Sequence, residues 1–210
     1  MPKKKIILAS HSQRRFELLK MLGFDFEVKT QSINERAIEE SLTASFFTSN
    51  SNRALGVLLT EKLSLEKAKA VWQTLSSSIR ANFLVLAADT CVILNNKIYG
   101  KPKDHAEAKA MLTELSGNTH QVYTGVTIIS NKDTTTFSNV ADVTFCDLDE
   151  VQKNLINQYV LTDDPLDKAG AYGIQGPASV LIKEIKGDFF TIMGLPVQKV
   201  YREILKHNNL

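Results

Sequence analysis

Apolar and polar positions fall in blocks along the chain, and the spacing within each block predicts an element. Ile6, Ile7, Leu8 and Ala9 form a continuous apolar run, as expected of a strand covered on both faces. In the "SHSQRRFELLKMLG" that follows, Phe16, Leu18, Leu19 and Leu22 make a helical stripe, with Ser12 placed to cap its start and Gly23 to end it. "FDFEV" alternates like a half-buried strand. From Thr30 to Asn52 the chain is irregular and polar, and "SFFTSNSN" reads as a surface excursion. Helical periodicity returns in "EKLSLEKAKAVWQTL", where Leu63, Ala70, Val71 and Leu75 supply most of an apolar face.

"ANFLVLAAD" predicts a buried strand that stops at Asp89, and "TCVILNNKIYGKP" a hairpin turning at Asn95 and Asn96. "DHAEAKAMLTELSG" is a helix with Asp104 as its cap and Gly117 as its stop. Two long strands, "HQVYTGVTIIS" and "TTFSNVADVTFCDL", are joined at "NKDT", and a helix follows through "DEVQKNLINQYVL". A loop of glycines and small residues, "TDDPLDKAGAYGIQGPAS", leads to strand "VLIKEI", turn "KGD" and a last helix with Pro196 in its first turn. Strands alternating with helices, plus two antiparallel pairs, predict an α/β fold with a mixed sheet. The pattern leaves strand order open.

Composition narrows the function classes. A chain of 210 residues can bury one sizeable core, and its 43% apolar and 23% charged residues are those of an ordinary globular protein. A net charge of +2 argues against binding nucleic acid through bulk electrostatics, yet permits a few focused cations. Cys91 and Cys146, the only cysteines, lie far apart and outside any metal-ligand spacing, which suits a reducing compartment. The lysines at positions 3–5 precede an apolar run too short for a signal peptide, and "FLVLAA" is far too short for a membrane span. The expectation is a cytoplasmic protein with neither membrane nor nucleic acid as partner. Four histidines, at positions 11, 105, 120 and 207, lack zincin spacing, and no nucleophile-elbow serine occurs.

Charged side chains at predicted element ends remain. Arg14 and Arg15 sit in the first turn of a helix, where backbone N–H groups and the helix dipole already favour an anion. Guanidinium groups bind phosphate oxygens bidentately, so this serine-bearing turn suits a phosphate. An ordinary exposed Arg-Arg pair is the competing reading. Asp89, at a predicted strand end, would project where open α/β sheets place ligands, or merely cap a turn. Glu35, Lys67, Lys69, Lys101 and Lys103 could converge with it, and Pro102 fixes the backbone beside Lys101. Gly170, Gly173 and Gly176, with Lys168 and Gln175, fit neither a dinucleotide fingerprint nor a Walker loop. Cations with a few carboxylates are the inventory of metal-assisted phosphoryl or nucleotidyl transfer. On residues alone the reading is a protein that binds, and could hydrolyse, a small phosphorylated ligand.

The stretches "LASHSQRRFELLKMLGFDFEV", "EKAKAV", "AADTCVILNNKIYGKPKDHAEAKAMLTELSGNTHQVYTGVTI", "DPLDKAGAYGIQG" and "GDFFTIMGLPVQKVY", in this order, resemble the Maf family of nucleoside triphosphate pyrophosphatases. The resemblance implies a fold like that of inosine triphosphate pyrophosphatases, a single domain over 1–210 with an elongated mixed sheet and two lobes around a central cleft. It also implies hydrolysis of a nucleoside triphosphate to monophosphate and pyrophosphate, a nucleotide-pool house-cleaning role, with Mg²⁺ or Mn²⁺ as cofactor and a homodimer as the working state. Residue by residue, Asp89 matches the family's proton acceptor. Arg14, Arg15, Lys67 and Lys101 match triphosphate-contacting cations, Ser10 and Ser12 the phosphate-cradling turn, and Glu35, with Asp89, a metal ligand. Thr90 and Gln175, together with Arg14, resemble the branch acting on dTTP and UTP, and a neutral amide can both donate to and accept from a pyrimidine edge. The alternatives are a 7-methyl-GTP pyrophosphatase and a nucleotide-binding regulator of septum formation without significant turnover. Three departures from the family pattern stand out: Gln13 replaces a proline, Asn34 replaces an aspartate, and the segment from Ser41 to Leu59 is longer than usual.

Overall fold

A computed structural model describes residues 4–48 and 54–208. The strands are β1 (Lys5–Leu8), β2 (Phe26–Val28), β3 (Phe83–Leu94), β4 (Lys97–Tyr99), β5 (Thr119–Ile129), β6 (Thr134–Phe145) and β7 (Ile182–Gly187). They form one sheet in the order β2-β1-β3-β5-β6-β7, with β4 paired to β3. β1 is parallel to both β2 and β3, whereas β3/β4 and β6/β7 are antiparallel, so the sheet is mixed as expected. The helices are α1 (Gln13–Met21), α2 (Glu35–Thr48), α3 (Leu55–Gln73), α4 (Ser77–Asn82), α5 (His105–Leu115), α6 (Glu150–Tyr159), α7 (Phe189–Met193) and α8 (Val197–His207). The chain divides into two compact units. The first comprises Met1–Asp89, Thr124–Asn139 and Gly194–Leu210, the second Thr90–Tyr123 and Val140–Met193.

In the first unit the continuous apolar runs of β1 and β3 pair in register, Leu8 opposite Leu86, and α3 lays Ala68, Val71 and Leu75 against Ile7, Val85 and Ala87. The approach of α3 to the sheet is set at Gly125 in β5. A Cβ there would stand 2.3 Å from the carbonyl carbon of Thr60 and 2.6 Å from the amide nitrogen of Glu61. The glycine inside "YTGVT" is thus the point where helix backbone meets strand backbone. In the second unit α5 and α6 cover a core that includes Val92, Tyr99, Leu112, Leu115, Phe145, Ile156 and Tyr172. Phe145 and Tyr172 meet edge to face with ring centroids 4.9 Å apart, and the His120 ring lies against both.

Most of the periodicity reading survives, including the Ser12 and Asp104 caps and the hairpin at Asn95 and Asn96, both with positive φ. Two expectations do not. The polar stretch after Thr30 contains a 14-residue helix, α2, with no fully buried residue. Asn34 caps it by accepting from the Ala37 N–H at 3.1 Å, and Arg36 pairs with Glu40 one turn on. Ile38, Leu42 and Phe46 form a half-buried stripe on it, too sparse to stand out among polar neighbours. Of "SFFTSNSN", the first four residues close α2, and those from 49 onward lie outside the described residues. Second, β3 does not stop at Asp89. Cys91, Val92 and Ile93 are buried and carry the strand on to Leu94, which leaves Asp89 as a charge inside a buried strand.

Two outcomes follow from this packing. Gly125→Ala should cost at least ~2 kcal/mol in urea unfolding, because the obstructing atoms are backbone and cannot swing aside. His120 is buried, its Nε2 is 2.7 Å from the Tyr172 hydroxyl, and its Nδ1 has no hydrogen-bond partner among the described residues; burial lowers its pKa to about 4. Above the unfolded value of about 6.5 the imidazole is neutral in both states, so it adds no pH dependence. As pH falls from there toward the folded pKa of about 4, only the unfolded chain takes up the proton, and roughly 3 kcal/mol of stability is lost. Urea midpoints between about pH 7.5 and pH 5 should therefore fall for the wild type, and fall less for His120→Gln.

Candidate active site

Chemistry collects where β1 ends and α1 begins. Ala9 still donates to the Leu86 carbonyl, and beyond it the chain turns through Ser10 and Ser12. The Ser10 hydroxyl oxygen accepts from the Ser12 N–H at 3.2 Å and from Arg15 Nη1 at 3.3 Å. Ser12 caps α1 by accepting from the Arg15 N–H. Gln13 opens the helix and donates its side-chain amide to Glu17 at 3.0 Å, beside the Ser12 cap.

The adjacent arginines differ in surroundings. Arg15 donates through Nε to the Gly194 carbonyl at 2.9 Å as well as to Ser10, which ties the start of α1 to the segment before α8. Burial pushes its guanidinium pKa down, and the Asp89 carboxylate opposes that shift. Arg14 is half-buried and makes no hydrogen bond or ion pair among the described residues.

Asp89 comes from the middle of β3, Lys67 from α3 and Glu35 from the first turn of α2. Lys67 Nζ lies 2.6 Å from Asp89 Oδ1 and 2.9 Å from Glu35 Oε2, so one ammonium bridges two carboxylates. Burial raises the Asp89 pKa above the ordinary carboxylate value, although Lys67 and Arg15 pull the other way. That leaves a better proton acceptor than an exposed aspartate, which is ionised but weakly basic.

The sequence reading missed Glu39. It follows Glu35 by one helical turn, on the same face, and is half-buried. Burial raises its pKa, and the charges of Asp89, Glu40 and Glu35 push it further in the same direction. With α2 unrecognised, the four-residue spacing of the two glutamates carried no meaning. Asn34 spends its side chain on capping that helix.

Ser10, Ser12, Arg14, Arg15, Glu35, Lys67 and Asp89 all belong to the first unit, and Thr90, Lys101 and Gln175 to the second. Thr90 follows Asp89 on β3 and, by the pleat, faces the opposite side. Lys101 and Gln175 are exposed and without hydrogen-bond or ion-pair partners among the described residues. In the glycine-rich loop Lys168 turns inward, held by Asp164 and Asp167, and Gly173 makes room for its stem, so those groups serve packing.

Asp89 and Glu35 offer hard oxygen donors that already converge on one cationic group. No cluster of three or more His, Cys, Asp or Glu side chains suited to a metal ion occurs among the described residues. This set fits a cation that takes one or two protein carboxylates and completes its shell with substrate phosphates and water, as Mg²⁺ does. It does not fit a fully protein-caged metal.

The model of Maf-like proteins matches residues 5–207. The chain belongs to the Maf family. A relative from Bacillus thuringiensis subsp. konkukian, named dTTP/UTP pyrophosphatase, is 42% identical over 98% of this chain and 96% of its own length. One from Bacillus cytotoxicus with the same name is 43% identical over 96% of this chain and 94% of its own. Within this Maf-family chain no described helix is long and apolar enough to cross a membrane.

The contrast between the arginines is measurable. Arg15→Ala removes charged hydrogen bonds and leaves the buried Gly194 carbonyl without that donor, which should cost about 2–3 kcal/mol in urea unfolding. Arg14→Ala should change stability by no more than ~0.5 kcal/mol while weakening nucleotide binding measured by calorimetry.

Proposed function

We propose that this protein is a nucleoside triphosphate pyrophosphatase that hydrolyses dTTP and UTP to the monophosphate and pyrophosphate. The observation that carries the reading is the buried Asp89 carboxylate on β3, bridged to Glu35 by Lys67 and facing the charge of Arg15. Relatives more than 40% identical over nearly the whole chain, each named dTTP/UTP pyrophosphatase, supply the reaction and the bases. A protein that only bound nucleotides would need the cations but gain nothing from a carboxylate held above its ordinary pKa.

In this reading the Ser10–Ser12 turn and the start of α1 bind phosphate through backbone N–H groups, and Arg14 supplies a guanidinium that no protein group engages among the described residues. Arg15 holds the turn in place and adds positive potential. Asp89 takes the proton of the attacking water at its carboxylate, and Lys67 and Lys101 stabilise charge on the departing pyrophosphate. A divalent cation, Mg²⁺ or Mn²⁺, bound by Glu35 and Asp89 would supply Lewis acidity toward the α-phosphate and lower the pKa of the water. Thr90 and Gln175, with Arg14, select the pyrimidine. The family resemblance extends the reading to a homodimer working in the cytoplasm.

Pyrophosphate release from dTTP, UTP, CTP, GTP and 7-methyl-GTP in the presence of Mg²⁺ tests the assignment, with dTTP and UTP expected to lead. Release led by 7-methyl-GTP, or none from any nucleotide, would overturn it. Asp89→Asn should lower turnover by at least about 100-fold while nucleotide still binds. Because burial holds the Asp89 carboxyl above the ordinary carboxylate pKa of about 3.9, the wild-type rate should fall on the acid side at a pH above that value. A variant Asp89→Asn with near-normal turnover would remove Asp89 as the base.

A further inference from the structure

We propose that the Lys67 ammonium is the resident cation of the Asp89–Glu35 pair in the nucleotide-free protein, and that Lys67 and a divalent cation hold the pair in turn, never together. The proposal rests on the reading above, in which this pair receives a divalent cation.

Lys67 Nζ already spends two of its three N–H donors on the two carboxylates, at 2.6 and 2.9 Å. A doubly charged ion sharing those oxygens would stand within a few ångströms of the ammonium, so its binding must expel Lys67. The parts that would move are the ones free to do so. Lys67 is a flexible four-carbon stem on a helix anchored by the buried Ala68 and Val71, so the side chain can swing while its backbone stays. Arg15 has no such freedom, because the Gly194 carbonyl and Ser10 hold it. Glu35, the partner on the other side, opens a helix without a fully buried residue. Of the other charges in the same field, Arg14 and Arg15 repel an incoming cation and Glu39 attracts it.

The consequence is an order of events. Without nucleotide, the divalent cation competes with a tethered ammonium and binds weakly. A polyanionic triphosphate draws the ammonium off the carboxylates and so favours the cation, and by linkage the cation strengthens nucleotide binding. Lys67 thereby holds the carboxylate pair closed in the resting protein and is released to the phosphates when the pair is filled.

Mn²⁺ titration of nucleotide-free protein, followed by the electron paramagnetic resonance of free Mn²⁺ near pH 8, tests the exchange. Lys67→Met should bind Mn²⁺ at least tenfold more tightly than the wild type, and Lys67→Met combined with Asp89→Asn should lose that gain. A thermal melt confirms that each variant is folded. A second measurement needs no variant. In wild-type protein without nucleotide, Mn²⁺ raised to concentrations that occupy the pair should increase acetylation of Lys67 several-fold by mass spectrometry, with exposed Lys109 unchanged. Equal Mn²⁺ affinity in wild type and Lys67→Met, or Lys67 acetylation indifferent to bound Mn²⁺, overturns the exchange. The pyrophosphatase reading then stands if UTP still yields pyrophosphate with Mg²⁺. If neither protein binds Mn²⁺ and no pyrophosphate appears, both fall.

Discussion

The first unit is arranged around one costly act, the burial of the Asp89 carboxylate in the middle of a strand whose neighbours are apolar on both sides. Moving an ionised carboxylate out of water is expensive unless it is paired, and one left unpaired would take up a proton instead. Lys67 and Arg15 meet that demand, and each is in turn constrained by what delivers it. Lys67 reaches Asp89 because α3 lies close on the sheet, and α3 lies close because Gly125 presents no side chain to the Thr60 carbonyl. Arg15 arrives because β1 ends beside β3 and the next turn, capped by Ser12, starts a helix there.

Burial and pairing act on Asp89 in opposite directions, and burial wins. A fully offset carboxylate would be a poor base, and an unpaired one would be protonated and no base at all. With burial the larger effect, the Asp89 carboxyl is more basic than an exposed aspartate. The division between the arginines follows the same logic. Arg15 is engaged by protein groups and defines the turn, so its contribution to a bound anion is fixed potential. Arg14 has its hydrogen-bonding capacity uncommitted within the described residues. A helix start with paired positive charge is unfavourable for the helix alone, since it adds cations at the positive end of the dipole. It becomes favourable with a polyanion bound at the same end.

Much of this was legible in the chain. Caps at Ser12 and Asp104, the Asn95-Asn96 turn and the helical stripes of α1 and α3 are local signals, and local signals survive folding when the side chains that carry them also pack. α2 escaped notice because its stripe, Ile38, Leu42 and Phe46, is only half-buried and its stability rests on a cap and on contact with α3. Asp89 was singled out for a reason that does not hold. A strand end was expected there, whereas the strand runs on, because the apolar residues after it are buried in the core of the second unit. In the glycine-rich loop, which fits no ligand-binding motif, Lys168 pairs with Asp164 and Asp167.

By itself, the sequence determined most of the elements, the mixed α/β class, the family and the residue types available for phosphate chemistry, since each depends on spacing along the chain or on an ordered set of motifs. Only the tertiary structure decided which charges meet. It set one lysine between two carboxylates drawn from different elements, made Arg15 a fixture, left Arg14 unengaged among the described residues, brought Glu39 into the field of Asp89, and turned Lys168 inward. Those outcomes depend on burial and on distances of a few ångströms between residues tens of positions apart. Periodicity does not encode such distances, because it records which face of an element is apolar and not what that face will meet.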